Sequence, residues 1–271
     1  QMCGIAGFTR FNNPQGDQST LLSMGDVIAH RGPDAHGEYL DDRVGLCHRR
    51  LSIIDLSVSG NQPMVSSDGN YVLVFNGEIY NFPELRKEAE DLGYEFRTQT
   101  DTEVILAHYH FSGTDVVNKL NGMFAFALWD MRAGKLFIAR DRLGKKPLYY
   151  SPFKGDIIFA SEIKSILEVK SVTKRVRPDA VYDFFTYLYV PEPKTIFQDI
   201  FKLKPGHFLE VTCDKVKEEK YWDVSFSDIR KQSQDSISEE LYDIIDQSVR
   251  SRMMSDVPLG AFLSGGIDSS G

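Results

Sequence analysis

The run Met2-Cys3-Gly4-Ile5-Ala6-Gly7-Phe8 predicts a short apolar strand that starts beside a cysteine. Such a cysteine is either a buried structural residue at the start of the strand or a nucleophile. As a nucleophile it would use its own backbone amine as the base, because an α-amine with a pKa of about 7.7–8.0 is partly neutral at physiological pH. The run alone favours the structural alternative, and the rest of the chain reverses that preference.

Length and composition indicate a folded chain of more than one domain. The 271 residues exceed an ordinary single domain, and 42% hydrophobic with 12% aromatic residues can supply a core. A net charge of -8 argues against a nucleic-acid partner, and the longest apolar run, residues 123–129, is too short to cross a membrane. The three cysteines show no metal-binding spacing, so we expect reduced thiols and a cytoplasmic location.

Along the first two hundred residues, apolar segments typical of strands come in groups, and amphipathic segments typical of helices lie between the groups. Helices are predicted around residues 21–28, 85–92, 102–111 and 178–189. Strands are predicted at residues 4–8, 43–48, 51–55, 71–76, 124–130, 135–140, 147–150, 157–161 and 206–212. Because the strands come in groups, with helices between the groups, the pattern favours an α+β domain built of stacked layers.

The polar stretch 213–235 lacks periodicity and is predicted to be a linker. It separates a first domain, residues 3–212, from the start of a second, α/β domain at residues 236–271. Ser236 and Glu239 form a capping box at the start of a helix. That helix has an apolar side formed by Ile237, Leu241, Ile244, Ile245 and Val249. With so little of the second domain present, we expect this side to be exposed.

Three polar motifs of the first domain each allow a structural and a functional interpretation. Asn76-Gly77 is a typical turn signal, or else the Asn76 side chain and the Gly77 N–H form an oxyanion hole. Arg50 enters the apolar strand predicted at residues 51–55 and either reaches solvent or pairs with a substrate carboxylate. Asp101 is either a helix N-cap or, assisted by Glu78, the partner of an ammonium group.

A fourth motif, Ser264-Gly265-Gly266-Ile267-Asp268-Ser269-Ser270, follows a predicted strand at residues 257–263. Glycines and hydroxyls at the start of a helix allow backbone N–H groups to hold a phosphate or pyrophosphate. The motif lacks the lysine of a Walker A loop. A plain glycine-rich turn is the alternative.

Eight sequence blocks occur together in one order, and their combination is far more specific than any single block. They resemble the glutamine-dependent asparagine synthetases of the bacterial B type. The blocks are Cys3-Gly4-Ile5-Ala6-Gly7, His30-Arg31-Gly32-Pro33-Asp34, Arg50-Leu51-Ser52-Ile53-Ile54-Asp55, Asn76-Gly77-Glu78-Ile79-Tyr80-Asn81, Gly122-Met123-Phe124-Ala125-Phe126-Ala127, Arg140-Asp141-Arg142-Leu143-Gly144, Ala160-Ser161-Glu162-Ile163-Lys164 and Ser264-Gly265-Gly266-Ile267-Asp268-Ser269.

The resemblance implies a class II glutamine amidotransferase domain with the four-layer αββα sandwich of the N-terminal-nucleophile hydrolases. Cys3 would attack glutamine and form a glutamyl thioester, with its α-amine as the base. Asn76 and Gly77 would form the oxyanion hole. Arg50 would bind the glutamine carboxylate. The full predicted glutamine-binding set is Arg50, Ile53, Glu78 and Asp101.

For the second domain the resemblance implies an ATP-pyrophosphatase synthetase, in which ammonia from the first domain amidates an adenylated aspartate. Glutamine, aspartate and ATP would be the substrates, and a homodimer is compatible with the resemblance. The glutaminase step needs no cofactor. ATP pyrophosphate and Mg²⁺, with Asp268 as the metal ligand, would be held by Ser264, Gly265, Gly266, Asp268, Ser269 and Ser270.

Two alternatives to asparagine synthesis stay open. The same mechanism would serve another acceptor carboxylate, such as a uronic-acid sugar, and residues beyond Gly271 would decide between acceptors. A non-catalytic glutamine-binding or interaction protein is the second alternative. Such a protein would be expected to lack one of Cys3, Arg50, Asn76 and Asp101, and all four are present.

The sequence departs from the family pattern at its first residues. In the family the nucleophile is the first residue after removal of Met, whereas Gln1 and Met2 precede Cys3 here. While they are attached, Cys3 carries an amide nitrogen instead of a basic amine. We therefore expect poor glutaminase activity from this exact chain and activity from a form that begins at Cys3. We also expect no asparagine synthesis from the 271 residues alone.

Overall fold

A computed structural model of the protein describes residues 3–12, 16–53, 55–227, 229, 231–254, 256–258, 260 and 263–267. These residues form two six-stranded sheets, in which all described strand pairs are antiparallel. The first sheet has the strand order β10-β8-β9-β1-β3-β2, and the second has the order β12-β11-β7-β6-β5-β4.

Each sheet combines strands from distant parts of the chain. The first contains β1 Gly4–Thr9, β2 Ala35–Leu40, β3 Val44–Arg50, β8 Tyr149–Phe153, β9 Asp156–Ala160 and β10 Phe201–Lys202. The second contains β4 Met64–Val65, β5 Tyr71–Ile79, β6 Gly122–Asp130, β7 Lys135–Arg140, β11 His207–Val211 and β12 Val216–Lys220. The α-helices are α1 Gln18–Asp26, α2 Phe82–Asp91, α3 Asp101–Ser112, α4 Val116–Lys119, α5 Ile163–Ile166, α6 Pro178–Tyr187 and α7 Gln234–Ser251.

Three apolar clusters hold four layers together. The middle cluster joins the facing sides of the two sheets, for example Ile5 and Leu46 of the first with Val74 of the second. Because side chains alternate along a strand, neighbouring residues such as Ala6 and Phe75 face outward. Ala6 packs with α1 and α5, and Phe75 packs with α2, α3 and α4. The resulting α-β-β-α order confirms the predicted sandwich.

The prediction of a strand at residues 51–55 is wrong for the four of them that the structure describes. Leu51, Ser52, Ile53 and Asp55 lie in a loop, and Ile54 is outside the described residues. Asp55 has a φ of 51°, a left-handed conformation that a regular strand excludes. The apolar Leu-Ile-Ile pattern indicated burial but not a ladder partner. β2 and β12 were not predicted, because they are edge strands with several charged or polar side chains.

The predicted linker and the helix after it need two corrections. Residues 216–220 of that linker form β12 and pair with β11, so the second sheet continues into it. Helix α7 begins at Gln234, and its N-cap is Ser233, whose hydroxyl accepts a hydrogen bond from the Ser236 N–H. Ser236 is therefore not the cap. The apolar side of α7 is about half exposed, as expected.

Two further observations concern membranes and the end of the chain. Among the described residues, no helix has both the length and the hydrophobicity that crossing a membrane would require. Of the strand predicted at residues 257–263, Leu259, Ala261 and Phe262 lie outside the described residues.

Candidate active site

One cavity of about 250 Å³ lies where β1 and β3 of the first sheet approach β5 of the second. All seven residues predicted for the glutamine reaction line it, although they come from four separate stretches of the sequence. They are Cys3, Arg50, Ile53, Asn76, Gly77, Glu78 and Asp101. The structure therefore brings together the predicted nucleophile, the predicted oxyanion hole and the charged groups that would recognise an amino acid.

The thiol of Cys3 is positioned by the loop after β3. Its Sγ accepts a hydrogen bond from the Leu51 N–H at 3.3 Å and lies 3.5 Å from the Leu51 carbonyl oxygen. Burial raises the pKa of Cys3 above its ordinary value, while the Leu51 hydrogen bond and the Lys146 cation oppose that rise. The thiol is thus mostly protonated near neutral pH and requires a base to become a nucleophile.

Two of the other sequence blocks hold the Cys3 backbone. The Arg31 Nε donates to the Cys3 carbonyl oxygen at 2.9 Å, and Arg31 Nη1 lies 3.0 Å from Glu162 Oε1. The Ser161 hydroxyl accepts a hydrogen bond from the Ile5 N–H at 3.0 Å. These contacts fix the strand start that carries the thiol, which explains why the blocks around Arg31 and Glu162 accompany Cys3.

The edge of β5 that faces away from β6 supplies the backbone donors. The Phe75 N–H donates to Gln62 Oε1 at 2.6 Å, and the Ile79 N–H donates to Asp101 Oδ2 at 2.9 Å. Backbone N–H groups alternate in direction along a strand, so the Gly77 N–H points to the same edge, between these two. A Cβ on Gly77 would lie 2.2 Å from the Met123 carbonyl oxygen, which leaves room only for glycine.

Asn76-Gly77 is consequently part of a strand, and the turn interpretation is wrong. Asn76 pairs with Ala125 of β6 and is 1% exposed. Neither its side-chain nitrogen nor its side-chain oxygen has a hydrogen-bond partner among the described residues. A buried amide without partners costs free energy, about 1–3 kcal/mol for each unsatisfied group. Such a group at a cavity wall indicates a site for a polar ligand.

Arg50 is buried, so the alternative in which it reaches solvent is wrong. Its guanidinium donates to the Ser57 carbonyl oxygen at 2.7 Å and to Asn61 Oδ1 at 2.8 Å, and it also contacts the Asp55 carbonyl oxygen. These three acceptors are uncharged. They orient the guanidinium in the cavity wall, and none of the three neutralises its positive charge.

Asp101 is the first residue of α3, but it is not the cap. The Thr100 hydroxyl caps the helix by accepting a hydrogen bond from the Glu103 N–H at 3.3 Å. The Asp101 carboxylate, 5% exposed, faces the cavity. Burial, together with the nearby Glu78 charge, raises the pKa of Asp101 to about 7, although the Ile79 hydrogen bond opposes the rise. An ammonium group beside it would favour the charged form.

Lys146 was not predicted as a site residue, yet it also lines the cavity and is 4% exposed. Burial lowers the pKa of Lys146, while the nearby Glu78 and Cys3 oppose that shift. The signal was available, because the block Arg140-Asp141-Arg142-Leu143-Gly144 positions this lysine. The Asp141 carboxylate accepts hydrogen bonds from the backbone N–H groups of Phe124, Leu143, Lys145 and Lys146.

Comparison with protein families places this arrangement. Residues 2–222 match the family described as glutamine amidotransferase domain, and residues 240–271 match the family described as asparagine synthase. The chain belongs to the glutamine amidotransferase family. The predicted resemblance is thereby confirmed, and the match to residue 222 includes β12.

Relatives of this amidotransferase are similar over nearly its whole length. Asparagine synthetase [glutamine-hydrolyzing] 1 of Bacillus subtilis is 41% identical over 99% of this chain and 43% of the relative. A putative asparagine synthetase 2 of Methanocaldococcus jannaschii is 40% identical over 99% of this chain and 56% of the relative. Amidase chry2 of Gibberella zeae is 36% identical over 99% of this chain and 42% of the relative. The chain thus spans about half the length of these relatives.

A solved structure confirms the fold of the amidotransferase. The allosteric regulatory enzyme of purine biosynthesis superposes with a TM-score of 0.61 at 18% identity, over 81% of this chain and 49% of that chain. At this identity the likeness concerns the sandwich alone.

The segment after α7 contacts the loop that follows β3, which forms part of the cavity wall. The Asp256 carboxylate accepts a hydrogen bond from the Asp55 N–H at 2.7 Å, and the Asp256 N–H donates to the Ile53 carbonyl oxygen at 3.1 Å. Asp55 in turn contacts Arg50 through its carbonyl oxygen. A residue of the asparagine synthase match therefore supports the loop that orients the guanidinium.

The predicted ATP motif is only partly described. Ser264, Gly265, Gly266 and Ile267 are exposed, and the Gly266 N–H donates to the Ser264 hydroxyl at 3.4 Å. Asp268, Ser269 and Ser270 lie outside the described residues, and so does the predicted magnesium ligand among them. Within the described ranges, no group of three or more His, Cys, Asp or Glu side chains could hold a metal ion.

Proposed function

We propose that the amidotransferase domain hydrolyses glutamine at Cys3 and that the full-length protein uses the released ammonia to make asparagine. The observation that carries the proposal is the buried Asn76 amide, which has no hydrogen-bond partner among the described residues and lies in the same cavity as the Cys3 thiol. A donor kept without a partner at this place is suited to an oxyanion that exists only during the reaction.

The charged groups of the cavity match the two ends of an amino acid. Arg50 would take the glutamine α-carboxylate, because its three described partners are neutral. Asp101 and Glu78 would take the α-ammonium group, whose charge would lower the raised pKa of Asp101. Ile53 would pack against the aliphatic part of the substrate. Glutamine bound in this way would direct its side-chain amide toward Cys3 and Asn76.

The reaction would proceed by covalent catalysis. With Cys3 as the first residue, its α-amine takes the thiol proton, and Sγ attacks the amide carbon. The Asn76 side-chain amide and the Gly77 N–H stabilise the oxyanion. The intermediate collapses when the amine returns the proton to the leaving nitrogen, which departs as ammonia. Water then hydrolyses the thioester to glutamate and restores the thiol.

In the full-length protein, we propose that ammonia amidates an aspartate activated by ATP. The match of residues 240–271 to the asparagine synthase family supports this step. Ser264, Gly265, Gly266, Asp268, Ser269 and Ser270 would bind the pyrophosphate part of ATP, and Asp268 would bind Mg²⁺. A relative named as an amidase favours, as second candidate, an acceptor other than aspartate, such as a uronic-acid sugar. A homodimer and a cytoplasmic location stay predictions.

The test is ammonia release from glutamine by a chain that begins at Cys3, compared with its Cys3→Ala variant and with the form that retains Gln1 and Met2. We expect activity in the first, none in the second and little in the third. Equal rates in the first and third forms would contradict the role of the α-amine. Activity that survives in Cys3→Ala would contradict the nucleophile.

A further inference from the structure

The nucleophile and the oxyanion hole belong to different sheets. Cys3 precedes β1 of the first sheet, whereas Asn76 lies on β5 of the second. The layer between the sheets is an apolar cluster that includes Ile5, Leu46 and Val74. Apolar contacts are non-directional, so they allow one sheet to shift slightly over the other. Catalysis, however, is sensitive to misplacement by about 1 Å.

His48 makes a directional contact across that layer. It lies on β3 of the first sheet, is 1% exposed, and its Nε2 lies 3.0 Å from the Phe75 carbonyl oxygen on β5 of the second sheet. Burial lowers the pKa of His48 to about 3, so the ring is neutral near pH 7. Because a carbonyl only accepts, Nε2 carries the proton, and Nδ1 is unprotonated. Nδ1 has no partner among the described residues.

The peptide that His48 contacts is the one that joins Phe75 to Asn76. On the same edge of β5, the Phe75 N–H donates to Gln62 Oε1. The short strand β4 pairs with β5 only at Val72 and Leu73, so it does not reach this point. Side chains therefore replace a strand partner at Phe75, and one of the two comes from the opposite sheet. His48 is not among the residues that line the cavity.

We propose that His48 is a positioning residue. Its hydrogen bond links the Phe75–Asn76 peptide to the first sheet and so keeps the Asn76 amide at the distance from Cys3 that the reaction requires. This inference rests on the proposed glutaminase function. It assigns His48 no contact with glutamine and no proton transfer. Its loss should therefore affect the step in which the oxyanion forms and leave glutamine binding nearly intact.

The test compares three variants in a chain that begins at Cys3. His48→Leu removes the hydrogen bond, His48→Gln retains an N–H donor, and Leu46→Val perturbs the same apolar layer without a polar contact. In His48→Leu we expect kcat for glutamine to fall about tenfold to a hundredfold, with less than a threefold change in KM. His48→Gln should recover part of the loss, and Leu46→Val should keep kcat.

Alkylation of Cys3 by iodoacetamide separates positioning from general damage, because this reaction forms no oxyanion. The alkylation rate should be the same in the wild type and in His48→Leu. The inference is overturned if kcat of His48→Leu equals that of the wild type or of Leu46→Val, or if alkylation slows as much as hydrolysis.

A separate measurement distinguishes failure of the inference from failure of the proposed function. If the wild type releases no ammonia, the glutaminase proposal fails. The hydrogen bond between His48 and the Phe75 carbonyl oxygen is then tested by nuclear magnetic resonance. We expect the backbone amide signal of Asn76 to shift in His48→Leu and to stay in place in Leu46→Val. An unchanged Asn76 signal in His48→Leu would overturn the positioning role.

Discussion

Helix α7 and the residues of the cavity were both predicted from clear sequence patterns, but they differ in how far the rest of the protein buries them. The residues predicted to line the glutamine site come from distant blocks, and all of them lie around one cavity. The apolar side of α7 has regular helical spacing, yet its residues are about half exposed, for example Leu241 at 54% and Ile244 at 52%. Helix α3 shows the contrasting case, since Val104, Ile105 and Leu106 are completely buried.

A sequence pattern indicates what a residue is able to do, but the residues packed around it determine whether it does so. α3 lies beside β5 and α2, and its residues 101–109 are buried. The second half of α7 lies beside Tyr80 and Glu84, and just after the helix the Arg252 guanidinium lies 4.5 Å from the centre of the Tyr80 ring. Substitutions at the cavity should therefore have large effects, and those on α7 should have small ones.

The largest of these effects, apart from loss of Cys3 itself, is expected at Asn76. Asn76→Ala removes one oxyanion donor and should lower kcat for glutamine by about 10²–10³-fold. KM should change little, because the donor acts on the transition state. Steady-state ammonia release measures both constants. The matched control is Asn118→Ala on an exposed position, which should retain wild-type activity. A loss below threefold in Asn76→Ala would contradict the oxyanion hole.

At Arg50, Arg50→Lys keeps the positive charge and removes the planar fork that the Ser57 carbonyl oxygen and Asn61 orient. We expect KM for glutamine to rise by about tenfold to a hundredfold, with a smaller change in kcat, because uniform binding is lost. Arg142→Lys is the control, since Arg142 is not among the residues that line the cavity. An unchanged KM in Arg50→Lys would exclude a role in carboxylate binding.

Asp101 predicts a pH dependence of glutamine binding. The pKa of Asp101 is about 7 in the free protein, so only about one tenth of the molecules carry the charge at pH 6. KM for glutamine should then be about tenfold higher at pH 6 than at pH 8, where the carboxylate is charged. In Asp101→Asn, KM should be high at both values. A wild-type KM that is constant from pH 6 to 8 would contradict the assignment.

The same Asp101 carboxyl group should make the folded protein less stable as the pH rises, whereas glutamine binding should improve over that range. Its folded-state pKa lies above the ordinary value of 3.8, so the native state holds a proton that the unfolded chain releases. This contribution is fully present below pH 3.8 and is lost as the pH rises through about 7. Relative to the wild type, Asp101→Asn should thus become more stable between pH 4 and 7. Urea unfolding at several pH values measures the difference, and a constant difference would contradict it.

Much of the fold and of the cavity was accessible from the sequence, because buried strands have apolar runs and because three of the eight blocks contain six of the predicted cavity residues. What could not be derived depends on long-range contacts. Edge strands β2 and β12 have little apolar content, so their pairing is visible only beside β3 and β11. Lys146 reaches the cavity because Asp141 folds its loop, and His48 matters because it faces a peptide on the other sheet.

A substitution on α7 should have only a minor effect, because the apolar side of this helix is about half exposed. Ile244→Gln replaces an apolar side chain that is already 52% exposed, so the free energy of unfolding of the 271-residue chain should change by no more than about 0.5 kcal/mol. Ile105→Gln on α3 should cost several kcal/mol, because it buries an amide without a partner. Urea unfolding of both variants at pH 7 measures the two values. Equal destabilisation would show that α7 is packed in solution as tightly as α3.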